Sequence, residues 1–169
     1  MKTRIRLTLL LFLLLNGQVT FAANPGPKDG FRELRWGSNV GANMLNLDAK
    51  KINMDVFVKQ GESKTRVAGV DGAYTTYLYL DGKLCRVELF WPILEEIETK
   101  TIAMTLDKEW GAPDRKNDFD KLLHREWDSY DKKTMSFFRA LSVDKKGWMV
   151  NVYIEDTKCT KQAIEDSGL

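Results

Sequence analysis

The chain has 169 residues, with 26 lysines and arginines against 24 aspartates and glutamates, one histidine and two cysteines. Three of the basic residues, Lys2, Arg4 and Arg6, sit at the extreme N-terminus, which leaves 23 bases against 24 acids in the rest of the chain. Such a balance lacks the concentrated basic stripe with which nucleic-acid binders displace counterions from phosphates, so no nucleic-acid partner is expected.

Lys2, Arg4 and Arg6 precede an unbroken apolar run, "LTLLLFLLL", and the following "NGQVTFA" places Thr20 and Ala22 where a signal peptidase requires small residues. Residues 1–22 are therefore predicted to be a signal peptide cleaved near Ala22, and the mature chain is expected in the periplasm or secreted. The apolar run is shorter than the ~20 residues of a bilayer span, and no later segment supplies one, so no transmembrane segment is expected in the mature chain. Residues 23–30, "ANPGPKDG", have the composition of a flexible tail. Residues 31–169 are expected to form a single domain, long enough to bury roughly two thirds of its unfolded surface.

"FRELRW" alternates as a short edge strand would, and Ser38 after Gly37 is placed to cap a helix running to about Leu47. "INMDVFVK" and "KTRVAGV" read as strands across the turn "QGES". "YTTYLYL" and "LCRVELFW" flank Asp81, Gly82 and Lys83, and an Asp-Gly pair adopts the left-handed conformations that a tight hairpin needs. In the second arm Cys85, Val87, Leu89 and Trp91 share one face, while Arg86 and Glu88 lie on the other with Leu84 and Phe90. One face must be core, and the other is only half polar, so a helix edge or a partner is expected to cover part of it.

Pro92 is predicted to end that strand. The spacing of Ile102, Ala103, Leu106 and Trp110 predicts a helix over 94–110, stopped by Gly111 and Pro113. Strands are predicted near 122–129, 134–141 and 147–155, and a terminal helix near 157–166. The expected fold class is α+β: a curved antiparallel sheet with helices packed on one face, and a candidate repeat of helix plus three strands over 38–91 and 94–155.

The chemistry-bearing residues are sparse. Cys85 and Cys159 are expected to form a disulfide in an oxidising compartment, the alternative being two separate buried thiols. They are too distant in sequence for a redox C-x-x-C pair. His124 has no partners in sequence for a zinc site or a catalytic triad, and no glycine pattern suits a nucleotide, so no metal, cofactor or catalytic residue is expected. Glu95, Glu96 and Glu98 read as helix-start acids. The five tryptophans, Trp36, Trp91, Trp110, Trp127 and Trp148, fall at or beside apolar-periodic positions and read as core. Tyr77 and Tyr79 share a strand face with Thr75 and are the sequence's candidate partner-contact residues.

"FRELRWG", "YLYLDGKLCRVELFW" and "LDKEWGAP" together resemble a loose group of small exported bacterial proteins of unknown function, whose opening motif is close to "GFRGIKWG". Phe31, Trp36, Gly37, Gly82, Lys83, Leu84, Val87, Gly111 and Trp127 match that pattern, with Glu33 in place of its usual glycine and Trp110 in place of its tyrosine. The resemblance implies export and carries no activity. The function expected from the sequence is a non-enzymatic exported binding or accessory protein, an envelope accessory or an inhibitor, whose partner is another exported or envelope protein. Two alternatives are kept: a hydrolase or transferase built on Asp114, Asp118 or Asp120, and a module that binds a small molecule or lipid.

Overall fold

The computed structural model describes residues 29–62, 64–119, 121–128, 133–143 and 146–168, so the predicted signal peptide and nearly all of the tail lie outside the described residues. A small N-terminal hairpin pairs β1 (Gly30–Phe31) with β2 (Leu34–Arg35). There follow β3 (Met44–Lys51), β4 (Met54–Lys59), β5 (Thr65–Val67), β6 (Val70–Leu80) and β7 (Lys83–Leu94). The helix α1 (Glu96–Trp110) then leads to β8 (Arg115–Phe119), β9 (Leu122–Asp128), β10 (Thr134–Ser142), β11 (Trp148–Asp156) and the closing helix α2 (Thr157–Asp166).

Three two-residue turns set the register of the first half. Ile52–Asn53 (φ 50° and 59°), Ala68–Gly69 (54° and 79°) and Asp81–Gly82 (50° and 72°) close the register pairs Lys51 with Met54, Val67 with Val70, and Leu80 with Lys83. Positive φ at both central positions gives the turn whose twist matches its flanking strands. Gly82 takes that conformation without cost, whereas a β-branched residue such as Ile52 does so against sterics. Ile52 is held there by packing against the cluster of Met54, Leu78 and Leu80.

Two four-stranded meanders, β3-β4-β6-β7 and β8-β9-β10-β11, meet where β7 pairs with β11, giving the order β3-β4-β6-β7-β11-β10-β9-β8 with every pairing antiparallel. β5 adds to the start of β6 off this path. Each meander is followed by a helix, so the expected repeat of helix plus three strands is not the one present. The helix predicted to run to Leu47 is absent. Asn39 instead bridges Lys83, the Val40 amide donates to the Gly82 carbonyl at 3.2 Å, and the chain enters β3 beyond Gly41. Gly41 and the nearby asparagines weaken a helix, while extended chain gains a sheet ladder.

The expectation of helices on one face is also overturned: strand dominates the described residues, and their two helices lie on opposite faces of the sheet. α1 packs Ile102, Ala103 and Leu106 against Leu89, Trp91, Trp127, Phe138, Val150 and Val152. Burial of an Ile or Leu side chain of this kind stabilises by about 1.5–3 kcal/mol. The N-terminal hairpin covers the rest of that face, setting Phe31, Leu34, Trp36 and Val40 on Met44, Tyr77, Tyr79, Leu84 and Val87. α2 packs Ala163 and Cys159 on the reverse face, against Met54, Leu78, Leu80 and Cys85.

A bulge explains the parity. The register of β6 on β7 shifts between Leu78 and Tyr79, so Tyr77 opposes Val87 but Tyr79 opposes Leu84. One extra residue in β7 puts Leu84 on the face of Val87 and sends Cys85 to the other side. Pro92 does not end β7 as predicted. A second irregularity lies between the pairs Trp148–Leu94 and Val150–Trp91, and a residue without an N–H is tolerated within it. α1 starts with a capping box between Glu95 and Glu98 and stops at Gly111, whose carbonyl accepts from Trp127 Nε1 at 2.9 Å.

Candidate functional site

One face of the sheet is roofed by α1 and the N-terminal hairpin, and the other is roofed only at its α2 end. Over residues 134–141 and 148–154 burial alternates residue by residue, buried toward the roof and half-buried or exposed on the reverse; Glu155, at the α2 end of the reverse face, is buried. The register then gives the composition of the open face row by row. One row crosses six strands as Tyr74, Phe90, Asn151, Arg139, His124 and Asn117. The next runs Thr76, Glu88, Tyr153, Phe137, Glu126 and Arg115. On the far side of the first row lies the shorter Met149, Leu141, Leu122 and Phe119. Phe90, Phe137 and Tyr153 are half-buried, Tyr74 is 48 % exposed and Phe119 67 %, so five phenylalanine and tyrosine rings present edges or faces to whatever lies above the sheet.

Charges on this face are organised in two groups. Toward α2, Arg86 lies between Glu88 (3.4 Å) and Glu155, and Lys51 reaches Glu88 at 2.6 Å from the edge strand. Both cations approach the Tyr153 ring, Lys51 Nζ at 5.4 Å and Arg86 Cζ at 5.6 Å from its centroid. Burial pushes the Glu155 carboxyl up from its ordinary value, against the pull of Arg86. Burial and the nearby Glu88 charge push the Tyr153 phenol up as well. Toward β8, Glu126 is held by Arg115 at 3.2 Å, with His124 Nε2 3.8 Å away and the His124 ring tilted against Phe137.

The sequence-predicted contact residues lie elsewhere. Tyr77 and Tyr79 are 1 % and 0 % exposed, under the N-terminal hairpin on the roofed face. They offer no surface to a partner: the face they share with Thr75 is core, because the hairpin that covers it comes from a stretch read as an edge strand. The Tyr77 hydroxyl donates to Glu62 at 2.9 Å, and burial followed by that carboxylate pushes the phenol up. Tyr79 packs edge-on against Phe57, its phenol is raised by burial alone, and its hydroxyl has no partner among the described residues.

Cys85 and Cys159 are bridged, with Cα atoms 5.5 Å apart, and the bridge ties α2 to β7. Asp118 belongs to an ion-paired clamp. The Arg125 guanidinium is buried, with Nη2 3.1 Å from Asp118 and Nε 3.4 Å from Asp107 of α1. Burial would raise the Asp118 carboxyl, but Arg125 holds it below its ordinary value. Asp114 accepts from the Asp128 amide at 2.8 Å, which pins the start of β8 to the end of β9. Asp120 lies outside the described residues. Among the described residues no three His, Cys, Asp or Glu side chains are placed to hold a metal ion.

Two open depressions are present. One of about 360 Å³ is lined by Leu47, Val58, Lys64, Tyr74 and Thr76, and it continues the first row of the open face past Tyr74. The other, of about 480 Å³, lies among Asp29, Arg35, Trp36, Lys133 and Asp156. Both are open, and the two aspartates of the second, Asp29 and Asp156, share it with Arg35 and Lys133. The open-face rings were within reach of sequence reasoning, since the polar–apolar mixture of Arg86, Glu88 and Phe90 marked that side as incompletely buried. Comparison with family models, curated proteins and solved structures returns no match.

Among the described residues no helix is long and apolar enough to cross a membrane, a statement that does not bear on β-barrels.

Proposed function

We propose that this is an exported, non-enzymatic binding protein, an envelope accessory or an inhibitor, that engages another exported protein through the open face of its sheet. The observation that carries the reading is the contrast between the two faces. Antiparallel sheets usually solvate one side with polar residues; here the unroofed side carries Tyr74, Phe90, Phe137 and Tyr153 beside Leu122, Leu141 and Met149. Rigid rings with apolar neighbours and a polar surround are the composition of protein-contact surfaces. The Cys85–Cys159 bridge supports an oxidising location, and the expected signal peptide and the resemblance to exported proteins point the same way, toward the periplasm or the outside of the cell. Of the acids considered for a carboxylate enzyme, Asp118 is ion-paired with Arg125, which weighs against that reading.

The test is crosslinking of the tagged chain in its native envelope, with the captured protein quantified for two variants. Phe137→Ala should reduce capture roughly tenfold or more, the range of a contact hot spot, while Met104→Ala on α1 should leave it unchanged. Equal capture by both variants rejects the face.

A further inference from the structure

We propose that the open face reads a carboxylate carried on a largely apolar segment of the partner protein, and that Arg139 is the residue that holds it; the proposal rests on the open face being the binding surface. Glu88 is matched by Lys51 and Arg86, Glu155 by Arg86, and Glu126 by Arg115 with His124 beside it. Arg139 is different: it is exposed, it stands near the middle of the face rather than at a rim, and its side chain enters no hydrogen bond or ion pair among the described residues, although its charge acts on the Tyr153 phenol. Its cross-strand neighbours are Asn151 and His124, its neighbours along the strand on the same face are Phe137 and Leu141, and Phe90 lies one strand beyond Asn151.

A guanidinium surrounded by rings and aliphatic side chains, with an amide and an imidazole on either flank, has the donors for bidentate capture of a planar carboxylate. The apolar residues around it would exclude water from that contact, which strengthens it. The face favours a protein over a glycan as the carrier. Leu122, Leu141, Met135 and Met149 pack apolar side chains but give no ring for a sugar to stack on. The rings fall in two cross-strand pairs, Tyr74 with Phe90 and Tyr153 with Phe137, with Phe119 apart at the far edge, rather than in one platform.

The test uses the intact disulfide-bonded chain as bait for a random displayed peptide library, with an oligomer of glucuronic acid as the competing anionic probe. The expected result is enrichment of peptides bearing an aspartate, glutamate or terminal carboxylate among apolar residues. Their affinity should fall roughly tenfold or more for Arg139→Ala, less for Arg139→Lys, and not at all for Lys100→Ala on α1. Because the Arg139 side chain is exposed and has no ion-pair partner among the described residues, its variants should keep the wild-type thermal melt, so loss of binding is not loss of fold. Peptides without an acid that still compete with Phe137→Ala-sensitive capture would overturn the carboxylate while leaving the face in place. Acidic peptides indifferent to Arg139→Ala, a library that yields no binder, or Arg139-dependent binding of the glucuronate oligomer alone would each overturn the proposal.

Discussion

Reduction of the Cys85–Cys159 bridge provides a quantitative test of how α2 is held. The two residues are 74 apart in sequence, and opening a loop of that size in the unfolded chain releases an entropy worth about 4.5 kcal/mol at 25 °C in the chain-entropy account. With a urea m-value of about 2 kcal/mol/M, the unfolding midpoint should drop by about 2 M on reduction. Reduction without substitution isolates this effect, since replacing Cys85, which is 0 % exposed, would add a packing cost of its own. The assay is urea unfolding followed by tryptophan fluorescence, with and without reductant, alongside hydrogen exchange of the α2 amides. Thr160 and Ala163, which are buried on the open-face side, should lose protection first, because α2 is tied to the sheet mainly through this cluster. Coincident unfolding curves, or two titratable thiols in protein recovered from an oxidising compartment, would refute the reasoning.

Further outcomes follow from buried polar groups. Tyr77→Phe removes the hydrogen bond to Glu62 and should cost about 1 kcal/mol, whereas Tyr79→Phe removes a buried hydroxyl without a partner and should be neutral or stabilising; thermal melts of the two variants give the comparison. Replacing both Asp107 and Asp118 by alanine leaves the Arg125 guanidinium buried and unpaired and should cost about 3–5 kcal/mol, while Arg125→Met, which leaves only half-exposed acids, should cost clearly less by urea unfolding. The pH dependence has two components of opposite sign. Asp118 is lowered from 3.8, so its stabilisation is complete above that value and is lost as pH falls through the lower folded value. Glu155 is raised from 4.5, so the unfolded chain ionises first and stability declines as pH rises from 4.5 to the folded value; this decline should be missing in Glu155→Gln.

Strands with clean alternation were legible in the sequence, and so were helices with explicit stops. β10 and β11 follow Met135, Phe137, Val150 and Val152 closely, α1 ends at Gly111, and α2 spans the predicted 157–166. Trp91 and Trp127 are core, as their periodicity implied. The segment before Leu47 was not legible, because a short stretch with Met44 and Leu47 fits either period and only pairing with β4 decides for a strand. β8 was hidden by its polarity: "RKNDF" has no apolar alternation and is a strand because β9 pairs with it.

The candidate site was legible only in part, because alternation identifies two faces without saying which one is roofed. Two long-range features decide that, the return of residues 30–40 over Tyr77 and Tyr79 and the bulge that turns Cys85 toward α2. With those in place, the face read as half polar becomes the open one, and the tyrosine face becomes core.

The most direct measurement of the central claim is hydroxyl-radical footprinting of the intact chain, alone and after addition of envelope extract. Met135, Phe137, Met149 and Tyr153 report the open face, and Met104, 70 % exposed on α1, serves as the internal reference. The account predicts that all five are oxidised in the free chain and that the first four are protected by the extract while Met104 is not. Slow oxidation of the four in the free chain, or protection that falls on Met104 instead, would contradict it.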